Sequence, residues 1–357
     1  MATSHERPSW LPEDFLCADP QNASSRRIDF TKTNSAFPEY EGHYALMVDD
    51  LLSKEECDLL IRAAEESTIS DSNKTPKWDQ ALINVGNGQQ MLHTDTRRCS
   101  RILWDCPWLA ARILSRIRPF IQDDIEVLRD VSSIFCRGPA QRQETWRLSR
   151  LNERLRFLRY YRGEYFRPHM DGPYVTPGGE EISFFTLHLY LNGEPGDRKM
   201  ADLSAVSDDQ VNSLPLRGGA TTFFPPFIDS DDARTFSVNP QTGSVLVFQH
   251  RGLAHSGDEV LQGTKYTLRT DFMFCRDGLF EKETRGLGYL RYLYTLRKEA
   301  LKGIKLTTIK GDDNSTSSAT NNRSVFRAQI SQRTSIPHVA IKHSQPTQRL
   351  LTLISTT

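Results

Sequence analysis

The chain has 357 residues, with 45 basic side chains against 45 acidic ones. That balance gives no field to hold the chain on nucleic acid or an anionic membrane, and no apolar run approaches the length of a spanning helix. The length admits one large domain or two small ones. Six cysteines (17, 57, 99, 106, 136 and 275) show no paired spacing, as in reduced intracellular thiols. MATSHERPSW carries no apolar signal core, so a cytoplasmic (or nuclear) location is expected.

In chain order, residues 1–37 are polar and proline-bearing and read as a loosely attached arm. YALMVDD at 44–50 reads as a strand. The next segment, SKEECDLLIRAAEES, opens with a capping box, Ser53 with Glu56, and repeats apolar residues at 57, 60, 61 and 64. A second helix is predicted from about Pro107 to Ile117, with Leu109, Ile113, Leu114 and Ile117 on one side and Pro119 ending it. Residues 129–155 carry several arginines without a clear period and read as a solvated loop. SFFTLHLYLNG, GGATTFFP and TGSVLVFQHRG give strand and turn signals in series. They are interrupted between Gly193 and Arg217 by a polar loop of unusual length. Leu287 to Lys302 reads as a closing helix. From 304 to 357 the low apolar content argues a disordered tail.

The chemistry concentrates in RPHMDGP. His169 and Asp171 are two residues apart, so on an extended strand both side chains reach one side. Two imidazoles and a carboxylate form the ligand set that leaves open positions on Fe(II). The third ligand has two candidates, His250 in VFQHRG and His255 in LAHSG. His93-Thr94-Asp95 is a second H-x-D, but it sits in a polar stretch without strand alternation. His188, between leucines, reads as a packed histidine or as a pocket wall. In KYTLRTDFMF, Lys265, Thr267 and Arg269 share one face, with Tyr266 and Leu268 on the other. Tyr160 lies in another alternating run, nine residues before His169.

The order Tyr160, His169-x-Asp171, LYLN, GG-x-T-x-F-P, G-x-x-L-x-F, His255, Gly263-x-Lys265 resembles the catalytic domain of prolyl-4-hydroxylase-type 2-oxoglutarate/Fe(II) dioxygenases. The match runs over about residues 40–278 and is densest from Leu155 to Phe274. The resemblance implies a mostly β fold with flanking helices, a double-stranded β-helix or jelly roll. The domain would span 38–303, with its catalytic barrel at about 155–278. It implies Fe(II) on His169, Asp171 and His255, because the family's spacing of ten residues to the lysine selects His255 over His250. It also implies 2-oxoglutarate anchored by Lys265 and Tyr160, with Arg269 as a further anchor.

The activity implied is oxidation of 2-oxoglutarate by O₂ to succinate and CO₂, coupled to hydroxylation of an unactivated C–H bond. Ascorbate is a further candidate cofactor. The substrate would be a peptidyl proline or a small metabolite, with no nucleic acid or membrane as partner. The alternative is a catalytically silent jelly roll kept as a binding or scaffold module.

Overall fold

Alternating apolar residues build two facing antiparallel sheets. In the computed structural model the described residues are 7–70, 74–84, 89–129, 134, 144–194, 207–226 and 232–277. The closing helix expected at 287–302 and the tail from 304 lie outside them. The larger sheet, of ten strands, runs Ser24–Arg27, Ala45–Asp49, Val245–Gln249, Glu181–Tyr190, Lys265–Arg276, Arg154–Tyr160, Ser100–Asp105, Asp79–Gln80. Val127–Arg129 and Thr145–Leu151 join it along the far half of Lys265–Arg276. The smaller sheet has five strands in the order Phe236–Val238, Thr221–Phe223, His255–Gly257, Tyr165–His169, Arg97–Arg98. This is the jelly-roll architecture, mostly β with helices on one side.

The period of two decides which side chains meet helices and which meet the cleft. From the strand Glu181–Tyr190, Phe185, Leu187 and Leu189 pack under helices α1 (Lys54–Glu66) and α2 (Pro107–Ile125). Thr186, His188 and Tyr190 point the other way, toward the small sheet. Val245 and Val247 join the helix-side core, while Leu246 and Phe248 join Phe223 and Val238 in the core between the sheets. The same alternation sends Leu268, Phe272 and Phe274 to the helices. It leaves Lys265, Thr267, Arg269 and Asp271 inside, the face read from the sequence.

Helix α1 begins at the expected capping box, in which the Ser53 hydroxyl accepts from the Glu56 N–H and the Glu56 carboxylate accepts from the Ser53 N–H. Helix α2 does not stop at Pro119 but continues to Ile125. Proline removes one backbone donor, yet Ile117, Ile121 and Ile125 are fully buried against the sheet, and that burial outweighs the lost bond.

Two further expectations are corrected. Residues 7–37 are not a loose arm. Ser24–Arg27 pairs with Ala45–Asp49, Leu11, Phe15 and Leu16 join the helix-side core, and Phe30 and Phe37 close the barrel edge around Tyr40. Their apolar residues are too widely spaced to show a period, and they divide between two cores. Within 129–155, the segment Thr145–Leu151 is a strand rather than a loop, burying Trp146, Leu148 and Leu151. A register shift where it pairs with Met273 and Phe274 breaks its alternation. In the polar loop, 207–217 holds a short helix, Asp208–Asn212, and sets Leu216 beside Leu158, Tyr160 and Val260. No described helix is long and apolar enough to cross a membrane.

Candidate metal centre

His169 closes the strand Tyr165–His169 and His255 opens the neighbouring strand, so the pairing sets the two directly opposite. Their rings are 4.4 Å apart between centroids. Each imidazole is oriented by a backbone carbonyl. Nδ1 of His169 lies 2.8 Å from the Arg167 oxygen and Nδ1 of His255 lies 3.1 Å from that of Leu253. With Nδ1–H donating there, each Nε2 is left as a free lone pair. These Nε2 atoms are 3.7 and 3.8 Å from the two carboxylate oxygens of Asp171, which follows just past the end of the strand. One donor atom from each of the three residues falls within 4.8 Å of the others, the one such cluster among the described residues.

Electrostatics keep the ligands in their binding forms. Burial, then the neighbouring His255, lowers His169 to about 3, and burial lowers His255 as well, so both rings are neutral. Burial alone would raise the Asp171 carboxyl, but the Arg269 guanidinium holds it well below the usual range. Arg269 Nη2 sits 2.8 Å from Oδ1 of Asp171, and the Thr186 hydroxyl donates to Oδ2 at 2.6 Å. Behind them Asp271 is 3.6 Å from Arg269, 2.9 Å from Arg156 and 3.5 Å from Nε2 of His250. His250 therefore serves this inner network rather than the ligand set. Two neutral imidazole nitrogens and one carboxylate are donors that fit Fe(II).

The other end of the cleft is cationic. Tyr160 and Lys265 are directly paired across neighbouring strands. Lys265 is 1 % exposed, with Nζ 5.1 Å above the Tyr160 ring and donating to the Gly219 carbonyl at 2.5 Å. Gly219 has φ +70, and a Cβ there would lie 2.9 Å from the lysine side chain, so glycine is what lets this backbone reach the ammonium. Burial lowers Lys265 to about 8, against the pull of Asp258. Arg97, which the sequence reading did not single out, lines the same cleft as Tyr160, Lys265 and the three ligand residues. The cleft they line is narrow, with an internal volume of about 40 Å³.

Arg269, expected as an anchor, engages Asp171 and lines the same cleft. It is four residues from Lys265, about 13 Å along the strand. His188 lines the cleft with its Nε2 buried and unpartnered. His93 sits in a turn, exposed, with Nδ1 2.8 Å from the Thr96 hydroxyl, and joins no ligand cluster. Thr186 and Asp271 also went unnoticed in the sequence, although the period of two puts Asp271 on the face of Lys265 and Arg269. Cys17, Cys57, Cys99, Cys106 and Cys275 are free thiols, as expected, and Cys136 lies outside the described residues.

No family model and no curated protein matches the chain. Among solved structures it is similar to a viral collagen prolyl hydroxylase from Paramecium Bursaria Chlorella virus-1, in a 2OG complex. Identity is 16%, the match covers 66% of this chain and 97% of that one, and the TM-score is 0.36. A prolyl-4-hydroxylase of Pseudomonas putida matches at 14% identity over 66% of this chain and 94% of that one, TM-score 0.38. A Trichoplax adhaerens prolyl hydroxylase, in complex with a hypoxia inducible factor peptide fragment, matches at 10% identity, 75% and 94% coverage, TM-score 0.34.

Proposed function

We propose that the protein is a 2-oxoglutarate- and Fe(II)-dependent dioxygenase that hydroxylates an unactivated C–H bond, converting 2-oxoglutarate and O₂ to succinate and CO₂ while R–H becomes R–OH. One observation carries the reading: a neutral-imidazole and carboxylate ligand set opens onto the same small cleft as a buried lysine with no carboxylate in ion-pair range among the described residues. Fe(II), when bound, supplies the O₂-dependent chemistry and a chelation point for the keto acid.

The chain's own residues do the positioning. The carbonyls of Arg167 and Leu253 fix the two imidazoles, and Arg269 with Thr186 fixes the Asp171 carboxylate. Lys265 grips the distal carboxylate in a charge-assisted pair, so the keto acid end points back toward the ligands. Tyr160 supplies the ring beneath that ammonium. Leu158, Phe166 and Phe248 wall the cleft with apolar surface and keep water from the reacting atoms. The C–H bond belongs to a peptidyl proline or a small metabolite, the two substrate classes that the resemblance implies.

The test is iron-loaded protein incubated with 2-oxoglutarate, with succinate measured first alone and then with pools of proline-containing peptides and of metabolites, products being resolved by mass spectrometry. The expected result is succinate formation, accelerated by a substrate that gains one oxygen atom. Folded, metal-bound protein that makes no succinate with any pool would instead be the silent binding module.

A further inference from the structure

We infer that Arg97 is a second cationic anchor for the co-substrate, so that the distal carboxylate is held between two buried positive charges rather than by Lys265 alone. This rests on the 2-oxoglutarate reading above and extends it to a residue outside the motifs that suggested it.

Arg97 opens a strand of only two residues, Arg97–Arg98, whose partners are Phe166 and Tyr165 on the strand that ends at His169. Alternation sends Arg98 to solvent and Arg97 inward, where it is 9 % exposed. Its guanidinium lies 4.5 Å from the Phe166 ring, which itself stacks on the His169 imidazole at 3.6 Å. Nε donates to the Cys99 sulfur at 3.2 Å, and the Tyr160 hydroxyl lies beside the guanidinium. Tyr160 therefore touches both cations, its ring under Lys265 and its hydroxyl at Arg97.

The other buried arginine among the described residues shows what a structural role looks like. Arg116 is paired with Glu56 at 3.0 Å and caps the Leu51 carbonyl. Arg97 has no such partner: among the described residues no carboxylate comes within ion-pair distance of it or of Lys265. A buried charge without a counter-charge is expensive. Asp258 pulls on Lys265 from beyond that distance, but the two cations lining one small cleft still leave a positive excess that a ligand carboxylate would offset. A guanidinium also offers parallel N–H groups matched to a carboxylate, which an ammonium does not.

A dicarboxylic keto acid should then be separated sharply from one without the second carboxylate. The experiment is calorimetric titration of full-length protein, loaded with Mn(II), using 2-oxoglutarate and 2-oxopentanoate, in which a methyl replaces the distal carboxylate. Wild type, Arg97→Ala, Arg97→Gln, Arg97→Lys and Lys265→Ala are compared, with metal affinity and melting temperature measured for each. Arg97→Ala and Arg97→Gln are expected to weaken 2-oxoglutarate about tenfold to a hundredfold, to leave 2-oxopentanoate and Mn(II) affinity within about twofold, and to be partly rescued in Arg97→Lys. If Arg97→Ala fails to fold, the Gln and Lys variants carry the same test through the ratio of the two ligands. An unchanged ratio overturns the inference. So does equal loss for both ligands together with Mn(II), which would mean Arg97 acts through Phe166 on His169. Wild type that binds no 2-oxoglutarate in the presence of metal would sink the dioxygenase reading itself, a separate failure.

Discussion

The two ends of the cleft solve the problem of buried charge in opposite ways. At the metal end every charge is answered from within the chain: Asp171 by Arg269 and Thr186, and Asp271 by Arg156 and Arg269. At the far end Lys265 and Arg97 are answered by a carbonyl, a thiol and aromatic rings, and among the described residues no carboxylate lies in ion-pair range, Asp258 acting on Lys265 from farther off. The first arrangement holds a ligand set in one geometry before any cation arrives. The second is complete only when an anion enters. A preorganised donor set beside an uncompensated cationic pocket suits a molecule that chelates metal at one end and carries a carboxylate at the other.

The largest effect expected is at the metal end. Alanine at His169, Asp171 or His255 removes one of three donors and should abolish both Fe(II) binding, read by titration against a chromogenic chelator, and succinate production. Next is Lys265→Ala, which should raise the Kd for 2-oxoglutarate about tenfold to a hundredfold while Fe(II) affinity holds, a split that sharpens the separation of the two ends. Arg269→Ala should show the reverse split. It frees a carboxylate oxygen of Asp171, and loss of such supporting contacts typically costs about tenfold to a hundredfold in metal affinity or activity. A loss confined to 2-oxoglutarate would return Arg269 to the anchor role.

A smaller effect is expected from pH. In the ligand-free protein burial holds Lys265 down to about 8, against Asp258 and Cys99, which pull it up. Only the ammonium form pairs with a carboxylate, so affinity for 2-oxoglutarate should be flat below that value and weaken as pH rises through it. Lys265→Arg should flatten the curve. The sign for stability is opposite. The folded value lies below the ordinary 10.5, so this charge opposes folding at neutral pH, and that opposition fades as pH rises from about 8 toward 10.5. Least of all, His93→Ala should leave metal affinity and turnover unchanged, since the His93 ring meets the Thr96 hydroxyl in an exposed turn and joins no ligand cluster.

What could be read in advance followed from local spacing. The alternation of KYTLRTDFMF put Lys265 and Arg269 on the inner face, and the separation of His169 and Asp171 brought both to one side. The structure joins His255 to them across a strand pair. What could not be read depends on pairings distant in sequence. Arg97 belongs to a two-residue strand, too short for any period, and its inward turn is set by Phe166, far along the chain. Arg269 faces inward as expected, but whether it meets a ligand or Asp171 depends on where the chain turns after His169. Phe15, Phe30 and Phe37 looked isolated because the surfaces they cover are assembled from other strands and helices.

The most direct measurement is calorimetric titration of wild-type protein with 2-oxoglutarate, once with Mn(II) and once with a strong chelator. One site is expected in both cases, tight with metal and measurably weaker without it, because the cationic end still holds the distal carboxylate when the chelating end has nothing to bind. Equal affinity with and without metal, or no binding in either, would contradict the account of one cleft with a preorganised metal end and an anion-seeking end.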